Sequence, residues 1–317
     1  MLFVAWVPLV LQLLVPLCLL SWLGFGRPWS IGAWASRAAL AGCYFVAIGV
    51  GGLWLILPWY TPAVYGLLML AALAHSFRRI RTGPRSRAGM TVVVVAAAGC
   101  AGLSLYLVAG WRVPPDAVEL SFPLRNGTYL VVNGGGNELI NAHLKTLTGE
   151  RFRPWRGESY GVDLAKLDGF GFRVRGILPP DPAVYAIFGE PVYAPCVGEV
   201  IAAVDGVAEM PPPRMDREHM AGNYVTLTCA GVWVLLGHLQ RGSVRVREGD
   251  RIEPGQWLAR VGNTGNTSEP HLHIHAQRPG TESAPFSGDP LPLRLGPRYP
   301  VRNARITVPP SQRGGTR

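Results

Sequence analysis

The chain has 317 residues, of which 49% are hydrophobic and only 16% charged, a balance too apolar for a wholly soluble protein of this length. A formal net charge of +10 and a pI near 9.8 favour anionic partners such as acidic lipid, nucleic acid or a wall polymer, without choosing among them. Of five cysteines, Cys18, Cys43 and Cys100 lie in apolar runs, which excludes a disulfide framework and leaves Cys196 and Cys229 as the one pair that could close in an oxidising compartment.

The apolar excess sits in the first 110 or so residues, as the runs Leu2 to Leu23, Ile31 to Tyr60, Pro62 to Phe77 and Met90 to Trp111. Three of them exceed the roughly 18 residues of a spanning helix; the third is short, but the prolines at 58 and 62 suggest a tight turn between two spans. The expectation is therefore a region of about four transmembrane helices over residues 1–111, with Trp54, Trp59, Tyr60 and Trp111 at the interfaces. The first run lacks a basic n-region and a small-x-small cleavage site, and Val15-Pro16-Leu17 before Cys18 makes a poor lipoprotein box, so it reads as an anchor.

Between the third and fourth runs lies the densest basic loop, Arg78-Arg79-Ile80-Arg81 with Arg85 and Arg87, and such loops stay cytoplasmic. Arg27 and Arg37 agree. The fourth helix then runs outward and delivers everything after Trp111 to the periplasmic or extracellular side of a bacterial inner membrane. No aromatic platform or helix-turn-helix pattern accompanies the basic loop, so no nucleic acid partner is expected. More spans than one anchor needs suggest a homo-oligomer or a membrane partner.

From Pro123 the pattern changes to short β-rich runs punctuated by glycine and proline: Thr128 to Asn133, Tyr160 to Leu164, Pro191 to Ala194, Gly198 to Ala203, Tyr224 to Cys229, Val232 to Gly237, Trp257 to Val261 and His271 to Gln277. An antiparallel all-β domain over 112–302 is expected, as a folded sheet or partly open barrel, followed by a disordered tail over 303–317.

The strongest chemical signal is Pro270-His271-Leu272-His273-Ile274-His275. Side chains alternate along a strand, so the three histidines share one face, where neighbouring imidazoles can converge on a metal. The competing reading is a solvent-facing strand, but three of the chain's seven histidines falling on one face speaks against it. A catalytic zinc usually takes three protein ligands and leaves a position for water, so one strand cannot supply the whole site.

The run from Gly262 to His273, a glycine-rich turn followed by Pro-His-Leu-His, resembles the closing motif of the lysostaphin/LytM-type zinc metallopeptidases. Tyr160 to Leu164, Gly189 to Pro195 with Gly198-Glu199-Val200, Gly222 to Val225 through Gly237-His238-Leu239, and Val246 to Ile252 resemble further blocks of that family in the same order, over roughly residues 128 to 278. The resemblance implies an all-β LytM-like peptidase domain, a Zn2+ cofactor and a peptidoglycan or other peptide substrate. It makes Asp163 and His273 zinc ligands and places His271 and His238 beside the reacting carbonyl. In the family a histidine precedes the aspartate by four residues, where this chain has Ser159. Asn141-Ala142-His143 resembles the Asn-x-His segment of divergent members, so His143 is expected as the third ligand. His275 stands where the family usually carries a carboxylate or other polar residue and is expected behind the metal.

The expected function is thus a membrane-anchored zinc endopeptidase cutting peptidoglycan cross-links or stems. The alternative is a degenerate LytM-like domain that activates a wall amidase or scaffolds an envelope complex. Lipoyl-like carriers share the Gly-Asp-x-Ile hairpin but need a modifiable lysine, which is missing here.

Overall fold

The computed structural model describes residues 7, 9–81, 87–281 and 284–309. Arg85 of the basic loop, the start of the first apolar run and residues 310–317 of the expected tail lie outside them. The chain forms two compact units, Met1–Gly110 and Trp111–Arg317.

The first unit is helical. Val10–Leu14 forms a π-helical segment leading into α1 (Val15–Phe25), followed by α2 (Ile31–Gly51), α3 (Thr61–Phe77) and α4 (Arg87–Ala109). Ser30 starts α2 by accepting a hydrogen bond from the Ala33 N–H at 3.1 Å, and Pro62 opens α3, where its missing N–H costs nothing. The second apolar run does not stay helical to Tyr60: α2 ends at Gly51, after which Gly52 is extended and Pro58 interrupts the chain. Among the described residues two helices, Ile31–Gly51 and Ala88–Ala109, are long and apolar enough to cross a membrane, while Val10–Phe25 and Thr61–Phe77 are shorter; of the expected four spans two meet the length criterion there. Within the unit Tyr65 stacks on Phe45 with ring centroids 5.7 Å apart and donates its hydroxyl to the Gln12 carbonyl.

The second unit is mostly β. Its strands are β1 (Val118–Leu120), β2 (Gly127–Asn133), β3 (Val162–Leu167), β4 (Pro191–Tyr193), β5 (Gly198–Val204), β6 (Asn223–Cys229), β7 (Val232–Leu239), β8 (Arg251–Ile252), β9 (Trp257–Arg260), β10 (Leu272–Gln277), β11 (Pro290–Leu291), β12 (Leu293–Leu295) and β13 (Arg305–Val308). The main sheet runs β13-β2-β3-β10-β7-β6-β5-β8, with β11 beside the end of β10, and its pairs are antiparallel. Strands β4 and β9 form a small antiparallel ribbon, and β1 pairs with β12 in parallel.

Strand alternation sorts the two faces of this sheet. Val225, Leu227, Val234, Leu236, Leu272, Ile274 and Ala276 point into one hydrophobic core. On the opposite face, His273, His275 and Gln277 are buried beneath the 3-10 segment Glu150–Glu158 and the Phe286 loop. Because β10 is covered on both sides it can hold polar groups away from water.

Two expectations need correction or completion. Part of the expected disordered tail is ordered: Arg305–Val308 forms β13 and adds an edge strand to β2, with Ile306 buried. Cys196 and Cys229 are joined in a disulfide that ties the entry of β5 to the end of β6.

Candidate active site

The register of four neighbouring strands builds the site. Asn133 on β2 pairs with Asp163 on β3, Asp163 with His273 on β10, and His273 with Gly237 on β7. Residues directly opposite across a sheet have Cβ atoms about 5 Å apart, so this row brings a carboxylate and an imidazole together by backbone pairing alone.

Asp163 is the hub. Its Oδ1 lies 2.9 Å from His273 Nδ1 and 3.5 Å from His271 Nε2, while its Oδ2 lies 3.0 Å from His143 Nε2 and accepts from Asn133 Nδ2 at 2.7 Å. Burial opposes ionisation of this carboxyl, but the neighbouring His143 and His271, through charge and hydrogen bonds, hold it well below the usual carboxylate range. The same pairing works in reverse on His143: burial disfavours its cation, yet Asp163, and more weakly Glu158, push it up to about 9. One donor atom from each of His143, Asp163 and His273 lies within 4.8 Å of the other two. Two imidazoles and a carboxylate converging this closely match the donor chemistry of a zinc site with an open position.

His143 reaches this point from a loop rather than from β3. Asn141 begins the 3-10 turn Ala142–Leu144 by accepting from the His143 N–H, and its amide donates to the carbonyls of Gly161 and Gly135. Arg302 clamps the base of the loop through the carbonyls of Val132 and Leu139 and through Asn133 Oδ1. Gly161 keeps the cradle open: a methyl group there would lie 2.7 Å from His273 Cε1 and 3.2 Å from His143 Cδ2. Ser159, in the position the family fills with histidine, is fully buried and committed elsewhere, donating to the Arg156 carbonyl and sharing a hydrogen bond with Thr146.

The other two histidines flank the cluster. His238 adopts a positive φ of 59° at the end of β7, which breaks strand alternation and swings its ring beside those of His271 and His273, at centroid distances of 4.8 and 5.8 Å. Its Nδ1 faces the Thr264 carbonyl at 2.8 Å; a carbonyl only accepts, so Nδ1 carries the hydrogen and Nε2 keeps its lone pair. Burial, reinforced by His271 and His273, holds this imidazole neutral. In the same way the Glu269 carbonyl accepts from His271 Nδ1 at 2.9 Å and leaves His271 Nε2 facing Asp163. The carboxylate of Glu269 is itself held by the buried Arg173, with Nη2 at 2.8 Å.

Behind the cluster, His273 Nε2 lies 3.0 Å from Nδ1 of the fully buried His275, whose ring stacks on Phe286 at 5.4 Å. Every site residue expected from sequence, His143, Asp163, His238, His271 and His273, is therefore brought into one cluster, with His275 at its back. His219 instead pairs with Asp216 on an exposed loop. Sequence reading missed Asn133, Glu158 and Arg302. Only Asn133, standing before Gly134-Gly135-Gly136, carried a local signal, since an asparagine ending a strand at a glycine run marks a turn with backbone to satisfy.

Comparison with known proteins meets this geometry. Residues 183–285 match the model of Peptidase family M23. The resemblance to lysostaphin/LytM-type peptidases is thereby borne out for a stretch that includes His238, His271 and His273; Asp163 and His143 lie outside it and join the site through the sheet register and the Asn141 turn. The chain is 32% identical over 103 residues to the peptidoglycan DD-endopeptidase ShyC of Vibrio cholerae serotype O1, a match covering 32% of this chain and 22% of that protein's length. Among solved structures, the catalytic domain of lysostaphin from Staphylococcus simulans is 22% identical, with 39% of this chain and 71% of that chain covered and a TM-score of 0.26. The catalytic domain of the A109H mutant of the prophage-encoded M23 protein EnpA from Enterococcus faecalis is also 22% identical, covering 40% and 71%, with a TM-score of 0.26.

Proposed function

We propose that this chain is a zinc metalloendopeptidase, anchored in the bacterial cytoplasmic membrane, that hydrolyses peptide bonds in peptidoglycan cross-links or stems. The observation that carries the reading is the convergence of His143, Asp163 and His273 donor atoms within 4.8 Å of one another, with two further imidazoles alongside. The family match and the 32% identity to a peptidoglycan endopeptidase supply the substrate class.

In this reading His143, Asp163 and His273 would hold the metal. Zinc held there would supply Lewis acidity to the scissile carbonyl and to a water. His238 and His271 present Nε2 atoms whose proton state is set from behind by the Thr264 and Glu269 carbonyls. One imidazole takes the proton of the attacking water and returns it to the leaving amine; the other donates to the developing oxyanion once it is protonated. The alternative of a partner-binding domain without catalysis expects loss of several of these groups together, and the donors here still converge.

For the first unit, α2 and α4 act as spans, and α1 and α3 complete a bundle of four helices, with the Arg78 to Arg81 loop in the cytoplasm and the β unit outside. A domain outside the membrane also suits the Cys196–Cys229 disulfide.

The test is elemental analysis of the full chain purified in detergent. About one zinc per chain is expected in the wild type, with loss in His143→Ala, Asp163→Ala and His273→Ala and cleavage of cross-linked muropeptides by the loaded wild type alone. Zinc retained in His143→Ala would overturn the ligand set; zinc bound without cleavage would overturn the endopeptidase reading.

A further inference from the structure

A cleft of about 490 Å³ borders the candidate metal site on its His143 side, with His143 and Glu158 among its lining residues. Its size falls within the range of small-ligand and peptide-side-chain pockets. The segment that carries His143 and the 3-10 segment after it contribute Lys145, Arg151, Phe152 and Trp155, and the loop before β6 contributes Arg217.

The charges of this cleft are unbalanced in a specific way. On the same 3-10 segment Arg153 pairs with Glu150 and Arg156 with Asp289. Lys145, Arg151 and Arg217, the cations that line the cleft, take part in no ion pair among the described residues. The lining thus sets three uncompensated cations against the single carboxylate of Glu158, beside the aromatic faces of Phe152 and Trp155. Cations left unpaired around a concave surface focus a positive potential on whatever enters it.

We infer that this cleft selects a peptide bearing free carboxylates next to an apolar segment, and seats it on the His143 side of the scissile bond. The inference rests on the endopeptidase reading for its bond-cutting step, but the charge preference is a property of the cleft and can be read without catalysis. Lys145, Arg151 and Arg217 are exposed, so each ion pair they form multiplies affinity by only roughly 1.5- to 5-fold, and three together favour the anionic peptide by about tenfold.

The probe is a cross-linked muropeptide dimer in two forms, native and with its carboxyls converted to carboxamides. With the zinc-loaded full chain in detergent, the native form is expected to show a kcat/KM about tenfold higher, expressed mainly in KM. The preference should shrink at high salt, because the contacts are open to solvent. The triple variant K145Q/R151Q/R217Q should bring the ratio close to one by weakening the native form. The same two peptides are then titrated calorimetrically into the metal-stripped full chain. Tighter binding of the native form without any cleavage by the loaded protein would overturn the endopeptidase reading and leave the cleft assignment standing. Equal affinity for the two forms, or a triple variant that keeps the preference, would overturn the inference.

Discussion

Replacing His275 with alanine should weaken zinc binding without touching any donor atom. If His273 gives Nδ1 to the metal, its Nε2 carries the hydrogen and needs an acceptor, and the atom 3.0 Å away is His275 Nδ1. His275 must then carry its own hydrogen on Nε2. That atom is buried without a partner of good geometry, as is the Oε1 of Gln277 two residues along the same strand face, while the Gln277 amide donates to the Pro285 carbonyl. It is therefore the His275 ring alone that fixes the tautomer and orientation of His273 from behind. Losing such an outer partner typically weakens metal affinity by about 10- to 100-fold, or roughly 1.4–2.7 kcal/mol. The assay is competition for zinc against a chelator of known affinity, with thermal unfolding in parallel because the variant also loses its stack on Phe286. His275→Glu restores an acceptor and should recover most of the affinity even if the fold remains softened. An alanine variant that binds zinc like the wild type, or a glutamate variant as weak as alanine, would refute the reasoning.

Three further outcomes follow from local geometry. Gly161→Ala should abolish zinc binding while far-ultraviolet circular dichroism stays unchanged, since the added methyl enters the space between His273 and His143. Reduction of the Cys196–Cys229 bond, or Cys229→Ser, should lower stability by up to about 3.7 kcal/mol for a loop with a sequence separation of 33, measured by denaturant unfolding with and without reductant. Arg173→Ala leaves the Glu269 carboxylate without its buried partner and should cost about 3 kcal/mol. In that variant peptidase activity should fall with zinc retained, because the Glu269 carbonyl sets the proton on His271.

Much of the β unit was legible because its chemistry is periodic. The run from His271 to His275 announces one strand face carrying three imidazoles, and the fold buries Leu272 and Ile274 on the other face. Short elements were not legible: β1, β11 and β12 are two or three residues long, too brief for alternation to register, and β13 lay in a stretch whose proline and glycine content suggested disorder. His238 could be matched but not placed by pattern. Alternation along β7 would turn its side chain to the core with Leu236, and only the positive φ brings it to the site.

The clearest case is His143, which joins the His143, Asp163 and His273 cluster while Ser159 is turned away from it. A strand-borne histidine four residues before the aspartate would reach the metal from within β3's own segment; here that segment turns through Ser159, whose hydroxyl is tied to Arg156 and Thr146. The vacant direction is filled from the loop between β2 and β3, which returns over the sheet at the point where Asn133 already sits opposite Asp163. Asn133, Asn141 and Arg302 then lock that loop through backbone carbonyls and amides that would otherwise be left unpaired in a buried setting. A loop needs this support to hold a ligand as well as a strand does, since a strand is held by its ladder. The prediction is that Asn141→Ala, which removes the acceptor for the His143 N–H and the donor to Gly161, will weaken zinc binding more than it weakens the fold. Parallel chelator competition and unfolding measurements decide it: equal losses in both would mean that the loop is held by packing alone and that His143 is positioned by the fold at large.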